Sequence, residues 1–281
     1  MFSKALVGVD LSPAEASLLS CLPDLARWGV EAVTLAHVIE IGYGQGAGFG
    51  HEDDYRAWLE ERAAPLRAAG LAVDVAVTAS GVPADELLAI AAARKADLVV
   101  VGSRSRNFLR EIFLGSVARE IIRKSALPVL IERLEPAAAG QAETCAAVCS
   151  RALQRVLLAT DLSPQSRGAE EAAVWLASRA AQVDCLTVLA PDADTDEREA
   201  AATQHRALLQ RIEATGGRAA SRIETGDPDA IISRAGEDGY SLIVVGKHGR
   251  NWIDSKIIGS TADHVCEIAR RPVLMVPLQK E

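Results

Sequence analysis

Val244-Val245-Gly246-Lys247-His248-Gly249 is followed, after nine intervening residues, by Gly259-Ser260-Thr261. A β-branched run ending in glycine, a glycine turn and then a helix start suits the binding of an anion. Glycine lets the main chain approach a phosphate closely or adopt φ > 0. A helix start adds N–H groups without intrahelical partners and the positive end of the dipole. The chemistry on offer is recognition of a phosphorylated ligand by backbone amides. His248, inside the loop, is placed either to reach a phosphate or ribose or to face solvent. An earlier counterpart runs Val101-Gly102-Ser103-Arg104-Ser105 and then Gly115-Ser116. There Ser105 stands where the later copy has Gly249. If that position needs φ > 0 or close approach, the extra Cβ costs about 1 kcal/mol, roughly fivefold in affinity. Arg104 and Arg106 either offset that loss by pairing with phosphate or serve as solvated loop charges.

Other chemistries are less well served. No G-x4-G-K-[ST] loop occurs, and no Ser-His-Asp or metal-ligand spacing stands out. The glycine-rich stretch Ile41–Gly50 fails the G-x-G-x-x-G spacing and does not lead from a first strand into a first helix. It reads as a loop whose Tyr43 or Phe49 could cover a ligand. His51-Glu52-Asp53-Asp54 offers metal-binding types, but acids at a helix start are favoured by the dipole without a metal. His37, at the end of the second strand, reads as a packed, hydrogen-bonded residue.

The elements that must position these loops are written twice. Ala5-Leu6-Val7-Gly8-Val9-Asp10-Leu11-Ser12-Pro13 matches Val156-Leu157-Leu158-Ala159-Thr160-Asp161-Leu162-Ser163-Pro164. Gly81-Val82-Pro83 matches Gly226-Asp227-Pro228, and Leu127-Pro128-Val129-Leu130-Ile131 matches Arg271-Pro272-Val273-Leu274-Met275. The expected division is residues 1–134, a small-residue linker over 135–152, and residues 153–281. In the first half, strands are expected near 4–9, 32–39, 72–78, 97–102 and 128–132, with helices over 13–28, 53–69, 83–95 and 115–124. The strands are nearly continuous apolar runs, as parallel strands covered on both faces require. Ser12-Pro13 and Ser163-Pro164 suit an N-cap and first turn. The alternation predicts an α/β fold of doubly wound parallel sheets with ligands at the carboxyl ends of strands. Asp10, Asp161, Gly102 and Gly246 fall at such ends.

Composition narrows the partners. The 281 residues are 49% hydrophobic and 24% charged, with aromatics at 4%, so the cores must be built from Ala, Val, Leu and Ile. A net charge of −8 argues against nucleic acid or an anionic membrane as partner. Asp10 interrupts the first apolar run, so the N-terminus does not read as a signal peptide, and no window suits a membrane span. The cysteines, Cys21, Cys145, Cys149, Cys185 and Cys266, are odd in number and scattered, which favours reduced thiols in the cytoplasm.

With these residues in view, Gly246-x2-Gly249-x9-Gly259-Ser260 resembles the G-x2-G-x9-G-[ST] signature of the universal stress protein family. The Pro-Val-Leu terminal strand and the Asp ending the first strand resemble that family too. The resemblance implies two tandem doubly wound five-stranded parallel-sheet domains of order 3-2-1-4-5, an adenine nucleotide alpha hydrolase-like fold. It implies cytoplasmic stress roles and, in some members, ATP binding. Carried over by position, Ala159, Thr160 and Asp161 would contact adenine or ribose, and Leu189 the base. Val245 and Gly246 would border the ribose, while Gly249, Gly259, Ser260 and Thr261 would hold phosphates. In the first half, Asp10, Val38, Gly102, Gly115 and Ser116 still fit, so that site is expected to be weaker. The expected ligand is ATP, or ADP or AMP, accompanied by Mg²⁺, with slow hydrolysis at most. The family's use of its last strand for dimerisation implies an intrachain pseudo-dimer through Val129–Ile131 and Val273–Val276, with a further homodimer left open.

Overall fold

A computed structural model describes residues 1–10, 15–40, 51–106, 111–134, 152–234, 238–250 and 258–278. The loop 41–50 with Tyr43 and Phe49, the Ser12-Pro13 pair, Cys145 and Cys149 lie outside the described residues. So do the side chains of Arg104, Ser105 and Arg106. The chain divides into two compact units, Met1–Arg104 with Gly115–Cys149, and Ser105–Leu114 with Ser150–Glu281.

The first half begins with β1 (Lys4–Gly8) and α1 (Glu15–Cys21), which passes into a 3-10 helix (Leu22–Trp28). There follow β2 (Ala32–Glu40), α2 (Glu52–Ala68), β3 (Ala72–Ser80), α3 (Pro83–Ala93) and β4 (Leu98–Arg106). A three-residue strand β5 (Glu111–Phe113), α4 (Ser116–Lys124) and β6 (Val129–Leu134) complete it. The first unit's strands are parallel in the order β3-β2-β1-β4-β6.

The second unit repeats the plan. β7 (Val156–Ala159) leads through a short 3-10 turn (Pro164–Ser166) into α5 (Arg167–Ala177). Then come β8 (Val183–Leu189), α6 (Thr195–Glu213), β9 (Ala219–Thr225) and α7 (Pro228–Arg234). β10 (Leu242–Gly246), α8 (Ser260–Ile268) and β11 (Val273–Val276) end it. Its order is β9-β8-β7-β10-β11, again parallel. Each unit therefore has the expected 3-2-1-4-5 order.

The local reasons are legible. All four residues of β7 and of β11 are buried, as strands covered on both faces must be. α8 buries Ala262, Val265 and Cys266, an i, i+3, i+4 stripe. α6 starts at a capping box in which Asp194 accepts from the Glu197 N–H and Glu197 accepts from the Asp194 N–H. Gly226, at φ 141, turns the chain from β9 into α7, a conformation closed to other residues. The helix expected over 13–28 is not continuous. Pro23 lacks an N–H and its ring crowds the preceding turn, so the chain tightens to 3-10 geometry and ends at Gly29, φ 87.

Two further expectations change. Ser163 is the N-cap of the turn at Pro164, but its hydroxyl makes no capping bond. Cys185 and Cys266 are free and buried, and burial pushes the Cys185 thiol up to about 12. Cys21 is disulfide-bonded, so the expectation of reduced thiols fails at that position. No helix among the described residues is long and apolar enough to cross a membrane.

Candidate functional site

The site begins where β7 ends. The Thr160 N–H donates to Leu186 O at 3.0 Å, continuing the ladder one residue past the strand. The chain then turns sharply: Leu162 has φ 61, a left-handed conformation that costs a non-glycine residue about 1–2 kcal/mol. Two local bonds offset that cost. Thr160 Oγ1 accepts from the Leu162 N–H at 3.0 Å, and Asp161 Oδ1 accepts from the Ser163 N–H at 3.0 Å. Thr160 Oγ1 also donates to Glu170 Oε1 at 2.8 Å and lies 2.9 Å from Ser166 Oγ. The turn is therefore tied to the first turn of α5.

The glycine loop docks onto this turn. The Arg250 N–H donates to Asp161 Oδ2 at 2.8 Å, while the Arg250 Nε and Nη2 donate to the Asp161 main-chain oxygen at 3.1 and 2.8 Å. A Cβ at Gly249 would sit 2.9 Å from Asp161 Oδ2. Gly249 is not in the left-handed region, so the pressure for glycine here comes from the close Asp161 carboxylate, which a Cβ would have to push off its bond with the Arg250 N–H. Gly246 is crowded as well: its Cβ would meet His248 O at 3.2 Å and the Ser166 Cα at 3.3 Å. Lys247 anchors the loop base, its N–H donating to Val276 O at 2.8 Å and its carbonyl accepting from the Gly259 N–H at 2.9 Å. Burial pushes the Lys247 amine down to about 8.

Gly259 is the N-cap of α8, with φ −64 and ψ 143 and no side-chain capping bond. The first intrahelical bond runs from the Asp263 N–H to Gly259 O. The N–H groups of Ser260, Thr261 and Ala262 therefore have no acceptor within the helix. They form the positive end of the helix dipole.

These pieces line one cavity of about 580 Å³, within the usual range for small-ligand sites. Of the expected residues, Ala159, Thr160, Asp161, Val245, Gly246, His248, Gly249, Gly259, Ser260 and Thr261 all line it. Leu189 does not. Val188 and Leu186 take its place, because alternate residues of a strand face alternate sides. Leu189 is one residue further along the same strand. Val9 donates to Ala36 O just as Thr160 donates to Leu186 O, so Val38 corresponds to Val188. Ser166, Pro228, Ile232, Arg250, Ile258 and Ala262 also line the cavity and were not anticipated. Arg250 and Ala262 flank motif residues, and Pro228 belongs to the repeated Gly-x-Pro, so proximity to the motifs was a usable signal for them. Ser166 and Ile232 are brought in by tertiary folding.

Behind the cavity runs a buried polar chain. Thr187 Oγ1 donates to Thr160 O at 2.7 Å and lies 2.8 Å from His205 Nε2. The hydroxyl proton is thus committed, and His205 donates from Nε2. Its Nδ1, 2.6 Å from Ser221 Oγ, then accepts. Burial pushes the His205 pKa down, which favours this neutral form.

In the first unit, Asp10 follows β1, Val38 lies on β2, Gly102 on β4, and Gly115 with Ser116 at the start of α4. Asp10 and Gly115 with Ser116 match the element ends used in the second unit, but Gly102 does not end its strand as expected: β4 continues to Arg106, still paired with β6 at Ser103 and Arg104, whereas Gly246 is the last residue of β10. Gly115 is an uncapped N-cap with φ −60 and ψ 157, and a Cβ there would meet nothing within 4 Å. His37 is packed as expected, its Nδ1 2.8 Å from Val9 O and its ring against Tyr55. Beside Gly102, the buried Ser103 hydroxyl accepts from Arg133 Nη1 at 3.0 Å and donates to Glu132 O at 3.2 Å. Burial raises the Glu132 carboxyl to about 7. The acids at Glu52, Asp53 and Asp54 sit in the first turn of α2, where the dipole favours them.

Known proteins share this plan. The profile of the universal stress protein family matches residues 1–133 and 152–277. A universal stress protein of Mycobacterium bovis is 25% identical over 96% of this chain and 95% of its own. One from Methanocaldococcus jannaschii is 45% identical over 51 residues, 18% of this chain and 30% of that protein. The crystal structure of a universal stress protein from Archaeoglobus fulgidus superposes with a TM-score of 0.77 at 23% identity, covering 98% of each chain, which establishes the fold. With the profile matching both repeats and a relative matching nearly end to end, the chain belongs to the universal stress protein family.

Proposed function

We propose that this protein binds an adenine nucleotide, ATP foremost and ADP or AMP as alternatives, chiefly in its second repeat, and acts as a nucleotide-responsive regulator of a cytoplasmic stress response. One observation carries the reading: an uncapped helix start, with the N–H groups of Ser260, Thr261 and Ala262 lacking helical acceptors, lines a cavity of about 580 Å³. Such donors suit phosphate. Leu186, Val188, Ile232 and Val245 supply apolar walls suited to a base. Asp161 Oδ1 and Oδ2 each accept one main-chain N–H and keep lone pairs for a ribose hydroxyl.

Mg²⁺ is part of the proposal as a companion of the phosphates. Among the described residues, no group of three or more His, Cys, Asp or Glu gathers to hold a metal. The ion would thus be carried by phosphate oxygens and water. Sensing or storage is favoured over rapid turnover, because the Asp161 carboxylate is already committed to holding the loop.

The test is chromatography of small molecules released from denatured purified protein, paired with calorimetry of nucleotide-stripped protein against ATP and magnesium. The reading expects adenine nucleotide at about one per chain or fewer, and a saturable heat. A protein that carries none and gives no heat at millimolar ATP would be a nucleotide-independent scaffold.

A further inference from the structure

Arg250 lines the cavity as the first residue past the glycine loop, and it is exposed. Its guanidinium is held in place by two bonds, Nε and Nη2 to the Asp161 main-chain oxygen at 3.1 and 2.8 Å. Both bonds end on a neutral carbonyl, so they fix the orientation of the cation without neutralising it. Nη1 makes no bond among the described residues, and one Nη2 hydrogen also points elsewhere. A long side chain ordinarily loses rotamer freedom when it grips a ligand, and here that ordering is in place beforehand. The result is a full positive charge, oriented at the cavity wall, with donors to spare. A planar guanidinium suits phosphate oxygens better than a point charge does. A bare nucleoside offers hydroxyl and ring-nitrogen acceptors but no negative charge for it to pair with.

We infer that Arg250 is the residue by which this cavity selects a phosphorylated nucleotide over the corresponding nucleoside, its unused N–H groups meeting a phosphate oxygen. The inference rests on the nucleotide reading above and assigns a specificity determinant within it. The α8 amides hold phosphate through partial charges, whereas Arg250 supplies a whole one. Its removal therefore weakens the charged ligand and spares the neutral one.

The experiment is calorimetry of the full chain against ATP, AMP and adenosine, for the wild type, Arg250→Gln and Arg250→Lys. Arg250→Gln should weaken ATP about tenfold or more and shift adenosine by less than about twofold. Arg250→Lys should fall between, since it keeps the charge but loses the two-bond grip on Asp161 O. Equal losses for ATP and adenosine would overturn the inference, because Arg250 would then only hold the loop. Unchanged ATP affinity in Arg250→Gln would overturn it too. Those outcomes leave the nucleotide reading standing. A wild type that binds none of the three ligands would instead sink that reading and the inference with it.

Discussion

The two repeats hold the end of their first strand by the same carbonyl but with different side chains. In the first, His37 on β2 reaches Val9 O, and Tyr55 of α2 packs on the imidazole at 5.0 Å between ring centres. In the second, Thr187 on β8 reaches Thr160 O, and the imidazole comes from the helix instead, as His205 of α6. The helix starts beyond the loops agree closely, φ −60 and ψ 157 at Gly115 against φ −64 and ψ 143 at Gly259. The backbone that would receive an anion is thus common to both repeats. What differs is the loop sequence. Asp161 grips a loop whose Gly249 leaves no room for a Cβ, and the first repeat has Ser105 at the matching position. The comparison places the difference between the repeats in the loop sequence, Gly249 against Ser105, and not in the helix start.

Breaking the clamp should have the largest effect. Gly249→Val forces a branched side chain to within about 3 Å of Asp161 Oδ2. It should lower ATP affinity by about a hundredfold or more, measured by calorimetry with the melting temperature as a check on folding. Next comes Thr160→Val, which gives the second repeat the residue of the first. It removes the bonds to the Leu162 N–H, Ser166 Oγ and Glu170, so urea unfolding should show a loss of about 1–3 kcal/mol. The reverse change, Ser105→Gly in a Gly249→Val background, should tighten binding in the first repeat by about fivefold. If it changes nothing, the difference between the repeats lies elsewhere.

A smaller effect sharpens the same contrast, because one buried group in each repeat responds to pH with opposite sign. His205 has a lowered pKa, so below its ordinary value of about 6.5 the unfolded chain binds the proton more readily. Its contribution to stability is full above that value and is lost as pH falls through the folded pKa. Glu132 is raised from 4.5 to about 7, so its contribution is full below 4.5 and is lost as pH rises through about 7. In urea midpoints across this range, His205→Gln should flatten the acid-side loss and Glu132→Gln the neutral-side loss. Slopes unchanged in both variants would contradict the assigned causes.

The sheet order and most element positions could be read from the sequence because the strands are continuous apolar runs and each is written twice. The broken first helix was also legible in principle, since Pro23 sits inside the expected span. Other features depend on geometry that sequence does not carry. Val188 and Leu189 are both apolar, so only the strand register decides which faces the cavity. The glycine pattern marked the loop, but φ > 0 and close packing leave the same trace in sequence. The Asp161 contact shows that packing is the cause at Gly249. Arg250 adjoins the motif, but an exposed arginine beside a loop looks like any solvated charge until its bonds to Asp161 O are seen.

The claim beneath all of this is that main-chain N–H groups at the start of α8 hold the phosphates. Ser260 is the first residue of that helix, where proline is tolerated, and Gly259 already has the extended backbone that a following proline requires. Ser260→Pro therefore deletes one amide hydrogen with the helix kept, and Ser260→Ala controls for the hydroxyl. Calorimetry should show ATP weakened about tenfold or more by the proline beyond any effect of the alanine, as the loss of a charge-assisted bond predicts. Equal affinities in the two variants, with melting temperatures unchanged, would contradict it.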